Sequence, residues 1–205
     1  MQLKNLHYLS GLLLSVFIGF HLFNHLMALG GAEMHISTMQ SFRSFYRHPF
    51  LETVLLITAL VQIFSGMRLV KAGAKTAGGF YEKMHIWTGI YLAFFLIIHI
   101  AAVLAGRYIF KLDTNFYFGV AGLNRFPFNL FFIPYYTLAI LSFFGHIAAI
   151  HRKKMKRPLL GLSVIKQANI ILITGAGIAI CILYGLTNHF KGVSIPPAYE
   201  IIPGK

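Results

Sequence analysis

The chain has 205 residues, of which 57% are hydrophobic and only 11% are charged. This composition excludes an ordinary soluble domain and predicts an all-α polytopic membrane protein. The formal net charge of +13 would suggest nucleic-acid binding in a soluble protein, but here the basic residues lie between apolar runs. We therefore expect them to contact lipid headgroups, with no nucleic-acid partner.

Five segments lack Asp, Glu, Lys and Arg: residues 5–32, 53–67, 84–106, 126–151 and 167–190. A bilayer core about 30 Å thick needs about 20 helical residues, and four segments reach that length. The second is short, but Pro49 can start its helix while Glu52 and Arg68 lie at the two interfaces. The sequence predicts one transmembrane domain over residues 1–205, with helices at about 5–30, 50–70, 84–106, 127–151 and 165–189.

The distribution of basic residues predicts the orientation. Eleven Lys and Arg residues flank the side that carries the N-terminus, and seven flank the other side. Six of the eleven lie between residues 152 and 166. The positive-inside rule then predicts the N-terminus inside and the C-terminus outside.

A histidine motif occurs twice. The first predicted helix contains LHYLSGLLLSVFIGFH and the third contains MHIWTGIYLAFFLIIH, so both follow H-x2-[ST]-G-x9-H. The repeat matches His7 with His85 and His21 with His99. Fourteen helical residues advance about 21 Å and return to within roughly 40° of the starting direction, so each helix has two imidazoles on one face.

Two such helices can present facing histidines at two depths, as membrane cytochromes do when they hold b-type haem. A single buried histidine is more often a hydrogen-bonded core residue, but two matched pairs are harder to explain by packing. We predict His21 and His99 as iron ligands in the outer half of the bundle. His25, one turn further along, is an alternative ligand or a partner for a haem propionate. His7 and His85 lie near the inner membrane surface, where placing a histidine costs little free energy. The case for these two residues as ligands is therefore weaker.

Further polar residues fall on the second and fourth predicted helices. Gln62 and His146 lie in the inner half, at the depth of His7 and His85. Buried polar groups need partners, so these four imply a shared occupant, a mutual hydrogen-bond network or entering water. We expect one haem in the outer site and a quinone-sized or water-filled polar pocket in the inner one, with a second haem as the alternative.

Two segments are predicted to face outwards. Residues 34–50 are aromatic and basic, like a segment in the headgroup region, and could cover the outer site. Residues 111–128 form the longest loop without a helical period. Trp87, Tyr135, Tyr136 and Tyr184 lie near helix ends and are interpreted as membrane-interface anchors.

His21, Gln62, His99 and His146 fall on the first four predicted helices, at separations of 41, 37 and 47 residues. This pattern, with the motifs SGLLLSVFIGFH and TGIYLAFFLIIH, resembles the five-helix cytochrome b anchors of succinate dehydrogenases and fumarate reductases. The resemblance covers residues 5 to about 190 and implies two haems ligated by one histidine on each of four helices. The outer haem would map onto His21 and His99, and the resemblance implies a bacterial or mitochondrial inner membrane.

The inner haem of that family would need a histidine on the second helix, where this chain has Gln62 in QIFSG. His146 then has three alternatives: it pairs with His7 or His85, binds a quinone headgroup, or hydrogen-bonds Gln62. The stretch YRHPFLETVLLITALVQIFSGMRL also resembles stand-alone relatives of these anchors, including fungal mitochondrial membrane proteins. Such relatives need no dehydrogenase partner.

Two functions follow as hypotheses. In the first, the chain is a b-type cytochrome that transfers electrons with quinone, alone or beside flavoprotein and iron–sulfur subunits. In the second, it is a non-redox membrane protein with structural haem or a polar cavity for small molecules or lipid. Nucleotide-binding, nucleophile and zinc fingerprints are absent, and a single cysteine excludes an iron–sulfur cluster held by this chain, so any redox reaction needs a bound cofactor. The chain is at most the cytochrome subunit of a quinone-linked oxidoreductase.

Overall fold

The computed structural model describes residues 2–73 and 78–200. This part of the chain contains no β-strand and seven α-helices. They are α1 (Leu3–Leu26), α2 (Ala32–Tyr46), α3 (Pro49–Gly73), α4 (Phe80–Tyr108), α5 (Phe116–Val120), α6 (Asn129–Lys154) and α7 (Val164–Leu186). A 3₁₀ turn, Met27–Gly30, extends α1, and another covers Pro197–Tyr199.

Five of the helices are long and apolar enough to cross a bilayer: α1 with its 3₁₀ extension, α3, α4, α6 and α7. The predicted all-α fold with five spanning helices is therefore confirmed. Large apolar side chains such as Trp87, Leu60 and Ile173 are exposed in the isolated chain, as expected where lipid is the solvent.

Local sequence sets the helix ends. Pro49 supplies the fixed backbone angle that suits a first helical position. The Glu82 carboxylate accepts hydrogen bonds from the Gly78 and Gly79 amides, at 2.9 and 3.3 Å, and so caps the start of α4. The Ser163 hydroxyl accepts from the Lys166 amide at the start of α7.

The spanning helices form a closed ring. Each packs mainly against two others, in the order α1, α3, α4, α6, α7 and back to α1. α1 and α4 therefore lie on either side of α3, and both run in the same direction across the bundle. His7 and His85 consequently lie at one end of the bundle, and His21 and His99 lie towards the other.

The end that carries His21 is closed by extramembrane segments. Gly31, with φ of 98°, turns the chain from α1 into α2, a conformation that suits glycine. A hydrophobic cluster joins α5, α6, α7 and the 3₁₀ turn Met27–Gly30 through Phe116, Ile140, Ile182 and Ala28. Burial of these apolar groups fixes the loop that contains α5 on the bundle.

Candidate functional site

Four histidines from three helices meet at the closed end of the bundle, and we call them the four-histidine cluster: His21, His25, His35 and His99. The imidazole rings of His21 and His99 face each other with centroids 6.0 Å apart and planes at 70°. His25 Nε2 lies 3.2 Å from His21 Nε2, and His35 Nε2 lies 3.2 Å from His25 Nδ1. The predicted facing pair and the predicted alternative ligand thus belong to one cluster.

Two phenylalanines support the facing pair in the same way. Phe17 stacks on His21 with ring centroids 5.9 Å apart, and Phe95 stacks on His99 at 5.0 Å. Each phenylalanine precedes its histidine by four residues, which is one helical turn. Sequence reasoning missed both residues, although the repeated motif contains a phenylalanine at this position in both copies.

α2 covers the cluster, as the sequence suggested for residues 34–50. His35 and Asn24 are only 3% and 5% exposed, and Asn24 Nδ2 lies 3.1 Å from His35 Nε2. Burial, with the nearby His21 and Arg43, lowers the pKa of His35 to about 4, so this imidazole is neutral at pH 7. Neither residue was predicted from the sequence. Asn24 lies within the apolar run of α1, and His35 lies on α2, which is too polar for a spanning helix and whose buried face shows only in three dimensions.

The cluster also contains unpaired polar atoms. Asn24 Oδ1 and His35 Nδ1 are buried and have no hydrogen-bond partner among the described residues. Beside them, a narrow cleft between α1 and α2 is lined by Phe17, His21, Asn24 and Tyr46, with Phe20, Met39 and Phe42. Unsatisfied polar atoms in a native protein usually indicate a missing partner.

The three-histidine cluster, His7, His85 and His146 with Gln62, lies at the opposite end of the bundle. His85 Nε2 is 3.2 Å from His146 Nε2, and the two ring centroids are only 4.2 Å apart. His7 Nε2 is 3.3 Å from Gln62 Nε2 and lies within electrostatic range of the other two histidines. All four predicted residues converge, and among the alternatives for His146 its partner is His85, not Gln62.

In the three-histidine cluster, matching residues of the two copies of the sequence motif make similar contacts. Ser10 donates to Gln62 Oε1 at 2.6 Å, and the matching Thr88 lies 3.2 Å from His146 Nδ1. A Cβ placed on Gly11 would lie 3.1 Å from Gln62, and one on Gly89 would lie 3.2 Å from His146. The glycine of each motif thus gives room to one polar side chain of the neighbouring helix.

The four-histidine cluster contains one pair of facing imidazoles from two different helices, His21 of α1 and His99 of α4. Two imidazole nitrogens about 2 Å from an iron on opposite sides place their ring centroids about 6 Å apart, which fits His21 and His99. His85 and His146 are too close together for this arrangement. Across residues 2–73 and 78–200, no group of three or more His, Cys, Asp or Glu could hold a free metal ion. A haem iron needs at most two protein ligands, since the porphyrin supplies four.

One interpretation of the tyrosines was wrong. Tyr135 is only 5% exposed and donates to the Phe95 carbonyl at 3.3 Å, so it does not anchor the membrane interface. Tyr136 packs its ring 6.4 Å from that of His99. Both tyrosines follow Pro134 on the face of α6 that meets α4, and they form part of the wall beside the four-histidine cluster.

The chain matches no protein-family model, no curated protein and no solved structure. The resemblance to the cytochrome b anchors therefore stays a prediction that depends on the histidine motifs. The geometry of the two clusters carries the functional argument.

Proposed function

We propose that this protein is a membrane-embedded b-type cytochrome that holds one haem between His21 and His99. The observation that carries the proposal is the 6.0 Å separation of these two rings, which α1 and α4 present from either side of α3. Buried histidines in a membrane are costly, and a metal bond is a strong reason to keep them there. The haem would supply one-electron transfer within the membrane.

The protein's own residues would position and shield this group. Phe17 and Phe95 restrict the rotation of the two histidines by stacking on them. α2 excludes water from one side, and the Tyr136 ring borders His99 on another. With His21 and His99 as its two protein ligands, a bound haem would suit electron transfer better than oxygen chemistry, because two imidazoles would leave the iron no free site for oxygen.

The three-histidine cluster supports a single haem. Its polar atoms already bond to one another, and the short distance between His85 and His146 leaves no space for an iron between them. We assign this cluster a hydrogen-bonding role, in which a quinone headgroup or water can replace some of the hydrogen bonds between its own side chains. Imidazoles and the Gln62 amide provide donors for the carbonyl oxygens of a quinone and acceptors for the hydroxyl groups of the quinol.

Orientation and partners belong to the same proposal. The excess of basic residues beside the three-histidine cluster supports an inside location for that end of the bundle. Electrons would pass between quinone and a partner, either flavoprotein and iron–sulfur subunits or a separate acceptor.

The experiment is a visible spectrum of the purified full-length protein, oxidised and then exposed to a quinol. We expect the sharp, split absorption bands of a low-spin b-type haem in the reduced protein. We also expect the quinol to reduce this haem as fast as a quinone-linked reaction would require. His48→Ala is a matched control, because this exposed histidine lies outside both clusters and should leave the spectrum unchanged. Purified protein without haem would overturn the proposal.

The second candidate is a non-redox protein with structural haem. It is favoured by the internal hydrogen bonding of the three-histidine cluster, which requires no exchangeable occupant. The same experiment separates the two functions. A haem spectrum that no quinol can reduce, although dithionite reduces it, would favour the structural role.

A further inference from the structure

Three arginines converge beside the four-histidine cluster, where α2 and α4 end and α3 begins. They are Arg43, Arg47 and Arg107. Arg43 pairs with Asp113 at 2.6 Å and donates to the Thr114 carbonyl at 2.7 Å. Arg107 makes a two-point ion pair with Glu52. The third, Arg47, donates to the Thr114 hydroxyl at 2.8 Å.

The charges in this group do not balance. Three guanidinium groups share two carboxylates, and Arg47 is the member of this group whose side chain contacts neither of them. Its pKa is lowered by partial burial and by the repulsion of Arg43 and Arg107. A partly buried cation next to two like charges costs free energy that a bound anion would recover.

A second donor points to the same ligand. The Nε atom of Arg43 is buried and has no hydrogen-bond partner among the described residues, and the side chain of Arg43 is only 12% exposed. A guanidinium presents its donors in a rigid fork that matches the oxygens of a carboxylate or phosphate. Arg43 and Arg47 together thus offer unused donors of the right type.

This arginine group is continuous with the four-histidine cluster. Tyr46, which precedes Arg47, lines the cleft that also contains His21 and Asn24, and its ring contacts Phe17. Arg43 lies close enough to His35 to affect it electrostatically. A molecule that occupies the cluster and has acidic groups at its edge would meet these arginines at the headgroup level.

We propose that Arg47, together with the free Nε of Arg43, binds a carboxylate of the molecule held by the four-histidine cluster. The inference rests on the proposed function, under which this carboxylate is a haem propionate. Asp113 and Glu52 stay paired with their own arginines, so Arg47 is the residue whose charge the propionate neutralises. A phospholipid phosphate has the same anionic oxygens, and the experiment distinguishes the two sources.

The test compares haem with its dimethyl ester, in which both propionates are uncharged. Full-length protein depleted of haem is titrated with each compound, and the affinities are read from the haem absorption band. We expect Arg47→Gln to weaken haem binding about tenfold, the usual effect of one charge-assisted hydrogen bond. Ester binding should stay unchanged, which also shows that the variant is folded. Arg47→Lys should recover part of the loss.

Arg125→Gln is the matched control, because Arg125 lies at the same end of the bundle and pairs with Glu200 at 3.9 Å. It should weaken neither compound. Equal losses for haem and ester in Arg47→Gln would overturn the inference, as would a loss of bound phosphorus from purified Arg47→Gln with unchanged haem affinity. If the wild-type protein binds neither compound, the proposed function itself fails.

Discussion

The imidazole rings of His85 and His146 lie 4.2 Å apart between centroids, with their Nε2 atoms 3.2 Å apart. The equivalent distance between the His21 and His99 centroids is 6.0 Å. The first pair is in direct hydrogen-bond contact, whereas the second has the spacing of two ligands on one iron. The two ends of the bundle are therefore expected to differ in what they bind.

The first prediction is a haem-to-protein ratio near one. Of the two described clusters, the four-histidine cluster is the one with the required ring separation, so His146→Ala should leave the ratio unchanged. Haem content by absorbance and protein content by amino-acid analysis give this ratio. A value near two, with half of the haem lost in His146→Ala, would contradict the assignment and identify an inner ligand.

The second prediction concerns the turn of α1 that supplies the ligand. His25 is bonded to both His21 and His35, so it belongs to the cluster without facing His99 directly. We expect His25→Ala to keep a low-spin haem spectrum with at most a small shift. If His25→Ala loses the spectrum while His21→Ala keeps it, the ligand is one turn further along the helix.

The third prediction tests the packing of the three-histidine cluster. A methyl group on Gly89 would lie 3.2 Å from His146 Cε1, so Gly89→Ala should displace that ring. Gly19→Ala, with nothing within 4 Å, is the matched control on the corresponding helix. We expect Gly89→Ala to be less stable than Gly19→Ala by about 1 kcal/mol, the usual cost of mild overpacking. Thermal unfolding in one detergent measures the difference, and equal stability of the two variants would contradict the described contact.

The fourth prediction is a pH dependence from His35. Its pKa falls from 6.5 to about 4 on folding, chiefly because of burial, with His21 and Arg43 nearby. Above pH 6.5 the imidazole is neutral in both the folded and the unfolded protein, so it does not change the free energy of unfolding. As the pH falls from 6.5 towards 4, the unfolded protein binds a proton that the folded protein does not, and the free energy of unfolding decreases. At pH 5 the wild type should lose up to about 2 kcal/mol relative to its stability at pH 7.5.

His35→Gln, whose amide does not titrate, is the comparison for this pH effect. Its stability should change less than that of the wild type between pH 7.5 and 5, as measured by thermal unfolding at both values. Parallel curves for the two proteins would mean that another group controls the response. The groups that face His35 are Asn24, His25, His21 and Arg43.

The spanning helices could be predicted because their apolar runs are long and free of charge. The convergence of His7 with Gln62 and of His21 with His99 could also be predicted, since the repeated spacing fixes both depth and helix face. The roles of Asn24, His35 and the arginines could not. They depend on the docking of α2, whose composition resembles that of a surface helix and whose buried contacts come from residues far apart in the chain.

Tyr135 illustrates the opposite error. A tyrosine near the end of an apolar helix is usually an interface anchor, so sequence position favoured lipid exposure. In the structure the side chain instead faces α4, because helix rotation is set by packing between α4 and α6 rather than by the residue type. The side of a helix that faces its neighbours is not fixed by its mean hydropathy.

The central claim is that His21 and His99 hold one iron between them, and the most direct measurement is the spectrum of the two single variants. Wild type, His21→Ala, His99→Ala and the His48→Ala control are purified under identical conditions, and their reduced absorption spectra and haem contents are compared. Loss of either axial ligand leaves the iron five-coordinate or the site empty. The account predicts that both variants lose the low-spin bands while His48→Ala keeps them. Low-spin bands that persist in both His21→Ala and His99→Ala would contradict it.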